Sequence, residues 1–184
     1  GVTSSGGQRG VLELAELLNI PVATSLNAKG TIPDNHPLAV GVVGSYSRWC
    51  ANRVVHEADL VLYIGSHTGS QVTNEWRVPA IGTPVIQIDI DPSELGRTYS
   101  AQVALQGDAK ASTRRLIEAS EPVGDRTEWV SRAQELVRKW REDVAPKVNS
   151  DAVPIIPERL CSEITQWLPS DAMLVADTGH AGIW

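Results

Sequence analysis

Apolar residues between positions 10 and 18 recur at helical spacing, with Glu13 and Glu16 on the opposite side. Asn19 supplies a terminator, and the run Ile20, Pro21, Val22, Ala23, Thr24 reads as a short buried strand. The same helix-to-strand step then returns. Residues 48–58 form a second helix, followed by Asp59 and the strand Leu60, Val61, Leu62, Tyr63, Ile64. That run is apolar throughout, as expected when helices cover both faces of a parallel sheet. A third strand over residues 84–90 ends at Asp91 and Pro92. A fourth, around residues 103–105, ends at Gly107 and Asp108, and a helix over 110–119 follows. Strands alternating with helices predict an α/β, doubly wound, mostly parallel sheet. Right-handed crossovers place the loop after each strand along one edge.

Beyond residue 119 the pattern changes. Residues 120–125 read as a linker, followed by an amphipathic helix over 126–144. Trp129, Ala133, Val137, Trp140 and Val144 share one stripe of it, while Arg132, Glu135, Arg138 and Arg141 face outward. Residues 145–157, with Pro146, Pro154 and Pro157, predict a second, extended linker. A new helix then begins at Pro157, with Leu160, Ile164 and Trp167 inward, and a strand over 173–176 leads into Asp177, Thr178, Gly179 and His180. One helix and one strand do not make a core, so this tail is expected to dock on something larger. The expected organisation is a main domain over 1–119 whose first strand is missing, a linker with its helix over 120–153, and the incomplete start of a further α/β domain over 154–184.

Composition removes several function classes. The chain has 184 residues, 42% hydrophobic and 21% charged, with a formal net charge of -6. A net negative chain without clustered Lys and Arg argues against nucleic-acid and anionic-membrane surfaces. No apolar run approaches the roughly 18 residues of a membrane span. Cys50 and Cys161 lie far apart with no Cys-x-x-Cys pairing, which fits a reducing compartment such as the cytoplasm. No Gly-x-Gly-x-x-Gly, P-loop, His-Glu-x-x-His or zinc-type cysteine spacing occurs.

The remaining polar candidates lie at the carboxyl ends of strands, where open α/β sheets bind ligands. Gly65, Ser66, His67, Thr68 and Gly69 follow one strand, Asp89 and Asp91 close the next, and Gly107 and Asp108 close the last. A carboxylate there can accept from ribose hydroxyls, and a glycine loop lets backbone N–H groups approach a phosphate. The competing reading is that Asp91 and Asp108 cap the helices that follow them. His67 is either a ligand-contacting or an exposed loop residue. His36 reads as a turn residue between prolines, and His56 as a surface or hydrogen-bonded helix residue.

These strings also resemble a known family. Pro21-Val22-Ala23-Thr24-Ser25-Leu26-Asn27-Ala28-Lys29-Gly30, with Ile32-Pro33 and His36-Pro37, is similar to the central domain of thiamine-diphosphate enzymes of the acetolactate synthase type. So are the stretches from Ala58 to Gly65, from Ile88 to Gly96, and Gly107-Asp108-Ala109-Lys110, in the same order. The resemblance implies a Rossmann-like, DHS-type nucleotide-binding fold. It places the chain between a pyrimidine-binding and a diphosphate-binding domain of a homodimeric or homotetrameric enzyme acting on a small 2-oxo acid by decarboxylation or carboligation. Thiamine diphosphate and Mg²⁺ are the implied cofactors. Asp177, Thr178, Gly179 and His180 match the loop that helps hold the diphosphate, with His180 nearest the chemistry.

The glutamate that activates the cofactor in this family is expected upstream of Gly1, and its Gly-Asp-Gly…Asn metal signature downstream of Trp184. The chain by itself is therefore expected to be inactive. Some relatives bind FAD in the central domain and others ADP. Where FAD-binding members carry Arg-Phe, this chain has His67-Thr68, and where they carry His-Gly it has Tyr46-Ser47. An imidazole does not reproduce the bidentate grip of a guanidinium on phosphate, which weighs against FAD. Two other readings remain open on the sequence: a stand-alone nucleotide module for FAD, ADP or NAD, and a purely structural or oligomerisation domain.

Overall fold

A computed structural model describes residues 1–123, 126–169, 171–175 and 179. It divides into two compact units, Gly1–Val137 and Arg138–Trp184. In the first unit, helices α1 (Val2–Ser5) and α2 (Gln8–Leu18) precede strand β1 (Val22–Thr24) and strand β2 (Ala39–Val42). Helix α3 (Trp49–Glu57), strands β3 (Val61–Ile64), β4 (Val85–Asp89) and β5 (Ala101–Gln106), and helix α4 (Ala109–Ala119) follow. Helix α5 (Thr127–Val148) runs across the boundary between the units, and α6 (Pro157–Trp167) lies in the second.

Every strand pairing among the described residues is parallel. The strands form a two-stranded sheet, β1-β2, and a three-stranded sheet in the order β3-β4-β5. In the larger sheet Val61 pairs with Val85 and Ile64 with Ile88, and Asp89 pairs with Gln106. The doubly wound α/β reading is thus confirmed, and the predicted helices and strands of the first unit form within a few residues of their expected bounds.

Strand β2 was not anticipated. It is fully buried, and Gly41 interrupts its apolar run at the point where the β1-β2 register shifts, between Val22 and Ala23. A four-residue strand with a bulge at its second residue, Val40, leaves too short a pattern to recognise.

Local chemistry explains where the helices stop. Asn19 takes the left-handed conformation at φ 48, and its N–H and that of Ile20 return to Glu16 O and Ala15 O, closing α2. Leu14 and Ala15 are buried on this helix, which packs against α4. On α4 the wholly buried Thr113 donates its hydroxyl to Ala109 O at 2.7 Å, so the packed surface holds no unpaired group there. Cys50 on α3 is also fully buried, its thiol 3.5 Å from Val40 O on β2.

Two expectations for the later segments are corrected. The second linker was expected from residue 145, yet α5 continues through Pro146 to Val148. Proline here forfeits a single N–H bond near the helix end, where the cost is smaller than in a helix interior. Met173, Leu174 and Val175 do not form the expected strand, and all three are exposed. A strand persists only when its backbone finds a ladder partner, and none of the described residues supplies one.

The stripe on α5 is buried through Ala133, Leu136 and Val137. Arg132, expected to face solvent freely, instead grips Glu57 of α3 in a bidentate pair, Nε to Oε2 and Nη2 to Oε1, both at 3.0 Å. Arg53 reaches the same carboxylate from one turn earlier on α3, and Glu135 pairs with Arg132 at 3.0 Å. The Arg132 guanidinium, aided by Arg53, holds the Glu57 carboxyl down at about 2. A depressed folded-state value means that this group stabilises the fold fully above pH ~4.5 and loses that contribution as pH falls toward ~2. Glu57→Gln is therefore expected to flatten the acid limb of the stability profile between those values, by on the order of 1 kcal/mol after solvent screening. Urea titrations at pH 7, 4 and 2.5 check this, and parallel profiles for parent and variant would disprove it.

Candidate functional site

The three loops expected along one edge are brought together by the three-stranded sheet. Gly65 N–H donates to Ile88 O at 2.8 Å, and Gly107 N–H to Asp89 O at 2.9 Å, so each loop opens as a continuation of the ladder. Gly65, Ser66 and His67 thus stand beside Asp89 and Asp91, with Gly107 and Asp108 on the far side.

At this edge the carboxylates are engaged with the backbone. Asp91 Oδ1 accepts from Ser93 N–H at 2.9 Å and from the Ser93 hydroxyl at 2.7 Å, capping a short 3-10 turn over Pro92–Glu94. The Ser93 hydroxyl, with its backbone N–H, holds Asp91 below the usual carboxylate range. Asp108 Oδ1 accepts from Ala111 N–H at 2.9 Å and caps α4. Buried Asp89 accepts from Asp91 N–H at 3.0 Å, turning the chain out of β4.

The positive groups are engaged as well. His67 Nδ1 lies 3.1 Å from Glu94 Oε1, while the His67 side chain stays 77% exposed. Arg97 donates to His67 O at 2.6 Å and pairs with Glu94 Oε2 at 2.8 Å, the latter without hydrogen-bond geometry. Thr68, at φ 46, has a buried hydroxyl with no hydrogen-bond partner among the described residues. Glu94 thus holds both the His67 ring and the Arg97 guanidinium. Three carboxylates, Asp89, Asp91 and Glu94, therefore crowd this edge, an arrangement unfavourable to a phosphate, and the Arg97 guanidinium beside them is already paired with Glu94.

Two residues that sequence reasoning passed over hold these loops in place. Gln87, in the middle of β4 and 1% exposed, donates from Nε2 to Glu94 O and accepts at Oε1 from Gly96 N–H, both at 2.9 Å. Its signal was a single amide side chain in an otherwise apolar run. Asn52 on α3 accepts from Gly44 N–H at 2.8 Å and donates to Gly44 O at 3.0 Å, clamping the turn after β2. His36 is a turn residue as expected. Its Nδ1 accepts from Leu38 N–H and its Nε2 faces Glu16 Oε1, each at 3.2 Å.

Of the four residues placed at the diphosphate side, Asp177, Thr178 and His180 lie outside the described residues, and Gly179 has φ 136. Among the described residues no group of three or more His, Cys, Asp or Glu side chains is disposed to hold a metal ion. The described residues thus present no such cluster for Mg²⁺. Likewise no described helix is long and apolar enough to cross a membrane.

Residues 1–116 match the family described as thiamine pyrophosphate enzyme, central domain. Among curated proteins, the probable acetolactate synthase large subunit of Methanocaldococcus jannaschii is 34% identical over 192 residues, covering 100% of this chain and 32% of that protein. The corresponding protein of Methanococcus aeolicus is 31% identical over 196 residues, with 100% and 33% covered. The acetolactate synthase isozyme 3 large subunit of Escherichia coli is 26% identical over 186 residues, with 98% and 32% covered. The chain therefore spans about a third of the length of the curated relatives it matches. The family match covers both parallel sheets and all the loops of the carboxyl edge, and the chain belongs to the thiamine pyrophosphate enzyme central-domain family.

Proposed function

We propose that the chain serves as the central domain of a thiamine-diphosphate-dependent enzyme that decarboxylates or joins 2-oxo acids. The observation that carries this reading is the full-length similarity to acetolactate synthase large subunits, which extends beyond the central-domain match into residues 117–184. In this reading pyrimidine-binding and diphosphate-binding domains flank the chain, and a cytoplasmic homodimer or homotetramer assembles from the longer protein. Mg²⁺ and the diphosphate belong to the flanking side, with Asp177, Thr178, Gly179 and His180 contributing from this chain. Thiamine diphosphate, when bound there, supplies the electron sink for breaking and making the carbon–carbon bond. The described residues do different work: they position what flanks them, through capped loops and paired edges.

The carboxyl-edge loops then act as structural joints, with Glu94 binding His67 and Arg97 together. A nucleotide role for Gly65, Ser66, His67, Asp89, Asp91, Gly107 and Asp108 would require that cluster to open. The test compares the 184-residue chain with the complete product of its gene. With pyruvate, thiamine diphosphate and Mg²⁺, the complete product is expected to release CO₂ and the 184-residue chain to show none. Turnover by the chain alone would overturn the reading, as would an inactive complete product across a panel of 2-oxo acids. Adding millimolar FAD or ADP to the chain in a calorimeter is expected to give no saturable heat. A one-to-one isotherm would restore the nucleotide site.

A further inference from the structure

The three-stranded sheet ends in β5, which pairs with β4 on one side and with no described strand on the other. Edge strands of native folds are blunted by being short, by a charged side chain or by proline. None of these devices is present in β5. Its 6 residues make it the longest strand among the described residues, and none of them is charged or a proline. A register shift between Val85 and Ile86 of β4 leaves Gln102 without a partner there, and β5 runs regularly from Val103 to Gln106.

The ladder fixes which way this backbone points. Gly107 N–H donates to Asp89 O, so Gly107, Leu105 and Val103 turn their polar groups toward β4. Successive residues of a strand alternate in this respect. Ala104 and Gln106 therefore present their N–H and C=O groups outward, where another backbone would satisfy them. The side chains are uncovered as well. Residues 102–106 are all exposed, Val103 and Leu105 among them, whereas β4 beside them is nearly all buried.

The order of those side chains identifies the occupant. Gln102, Val103, Ala104, Leu105 and Gln106 read almost the same in both directions about Ala104. Two antiparallel copies related by a two-fold axis at Ala104 would set alanine opposite alanine, valine opposite leucine and glutamine opposite glutamine. Since Ala104 points outward, it would form a hydrogen-bonded pair with its own copy, each N–H donating across the axis. Val103 and Leu105 then fall at the non-hydrogen-bonded positions, where side chains come closest, and they are the aliphatic pair. No charge lies on the seam, although the chain carries a formal net charge of -6. A strand of different sequence would make no use of this symmetry.

We infer that β5 is a self-complementary edge that pairs antiparallel with β5 of a second copy of the chain, making one continuous sheet in the order β3-β4-β5-β5-β4-β3. Residues 102–106 alone fall short of the roughly 20–30 residues a side of a stable stand-alone interface, so the pairing is reversible and concentration-dependent. It gives a contact to the homo-oligomer of the preceding reading and is independent of its chemistry: CO₂ release tests that, and self-association tests this.

The test is self-association of the 184-residue chain by sedimentation velocity, with amide exchange recorded over the same concentrations. The parent chain is expected to shift from monomer toward dimer as its concentration rises. Exchange at Ala104 and Gln106 should slow about tenfold as the dimer fills, while Leu105 and Gly107, already facing β4, change little. Ala104→Lys sets two ammonium groups opposite each other on the axis and is expected to weaken the dimer about tenfold, and Ala104→Glu to do the same. The Ala104 side chain is exposed, so both variants should keep the parent Tm. An equimolar mixture of the two is expected to restore the dimer, since lysine then meets glutamate across the axis. A parent chain that stays monomeric up to its solubility limit would overturn the proposal. So would a dimer untouched by either variant, or a mixture no tighter than the variants alone. Protection of Ala104 and Gln106 in the complete gene product that ignores concentration and survives Ala104→Lys would overturn it in favour of another segment of the same polypeptide.

Discussion

Gly44→Ala is expected to lower the unfolding free energy by about 3 kcal/mol or more, through backbone strain and an unavoidable collision together. Gly44 sits at φ 112, a conformation that side-chain-bearing residues rarely adopt. An added Cβ would stand 1.9 Å from the Gln71 carbonyl oxygen, far inside contact distance. The backbone has little freedom to retreat. Asn52 holds the N–H and C=O of Gly44 at 2.8 and 3.0 Å, and Ser45 N–H donates to the same Gln71 oxygen at 2.7 Å. Relief of the collision would break those bonds and release the turn between β2 and α3 from the loop around Gln71. Gly82→Ala provides the control, because Gly82 has φ 92 but nothing within 4 Å of its Cβ position. That variant should show only the strain, about 1–2 kcal/mol. Urea unfolding of both variants decides the matter. Equal losses would mean that the collision with Gln71 is not real.

Gln87→Leu is expected to cost about 2–4 kcal/mol, because it strands two buried backbone groups at once. Leucine fills a similar space but provides neither the donor for Glu94 O nor the acceptor for Gly96 N–H. The loss should be visible locally as well. Amide exchange at Gly96 is expected to rise, and the Glu94 pairing with His67 and Arg97 to loosen, since Gln87 fixes the backbone that carries Glu94. Denaturation together with residue-resolved exchange measures both effects. A variant within 1 kcal/mol of the parent, with Gly96 still protected, would show that water or neighbouring groups replace the amide.

The parallel sheet was legible because β3 is an unbroken apolar run and β4 is apolar but for Gln87 and the terminal Asp89, a pattern that both faces of a covered sheet impose. The same rule missed β2, where Gly41 and the bulge beside it divide the run. The edge location of the candidate loops was also legible, since it follows from crossover handedness alone. What those loops do was less so. Asp91 and Asp108 offered both a cap and a ligand role in the sequence, and only coordinates show that each accepts from the backbone that follows it. The Arg132–Glu57 pair joins residues 75 positions apart, beyond the reach of any local pattern. The expected strand at residues 173–176 had the right composition, but composition does not provide a partner.

The uniformly parallel pairing also bears on how the chain finds its fold. No two of these strands can close as a hairpin, because the chain must first travel back along the sheet, through a helix or a long loop, before the next strand can align. Each ladder therefore forms only after a loop-closure entropy has been overcome, and none can zip up locally from a turn. Helices α2, α3 and α4 are the segments whose backbone hydrogen bonds are local in sequence, unlike those of the ladders. A substitution that stiffens or shortens one of the crossovers is therefore expected to act on the folding rate even where it leaves every native contact intact.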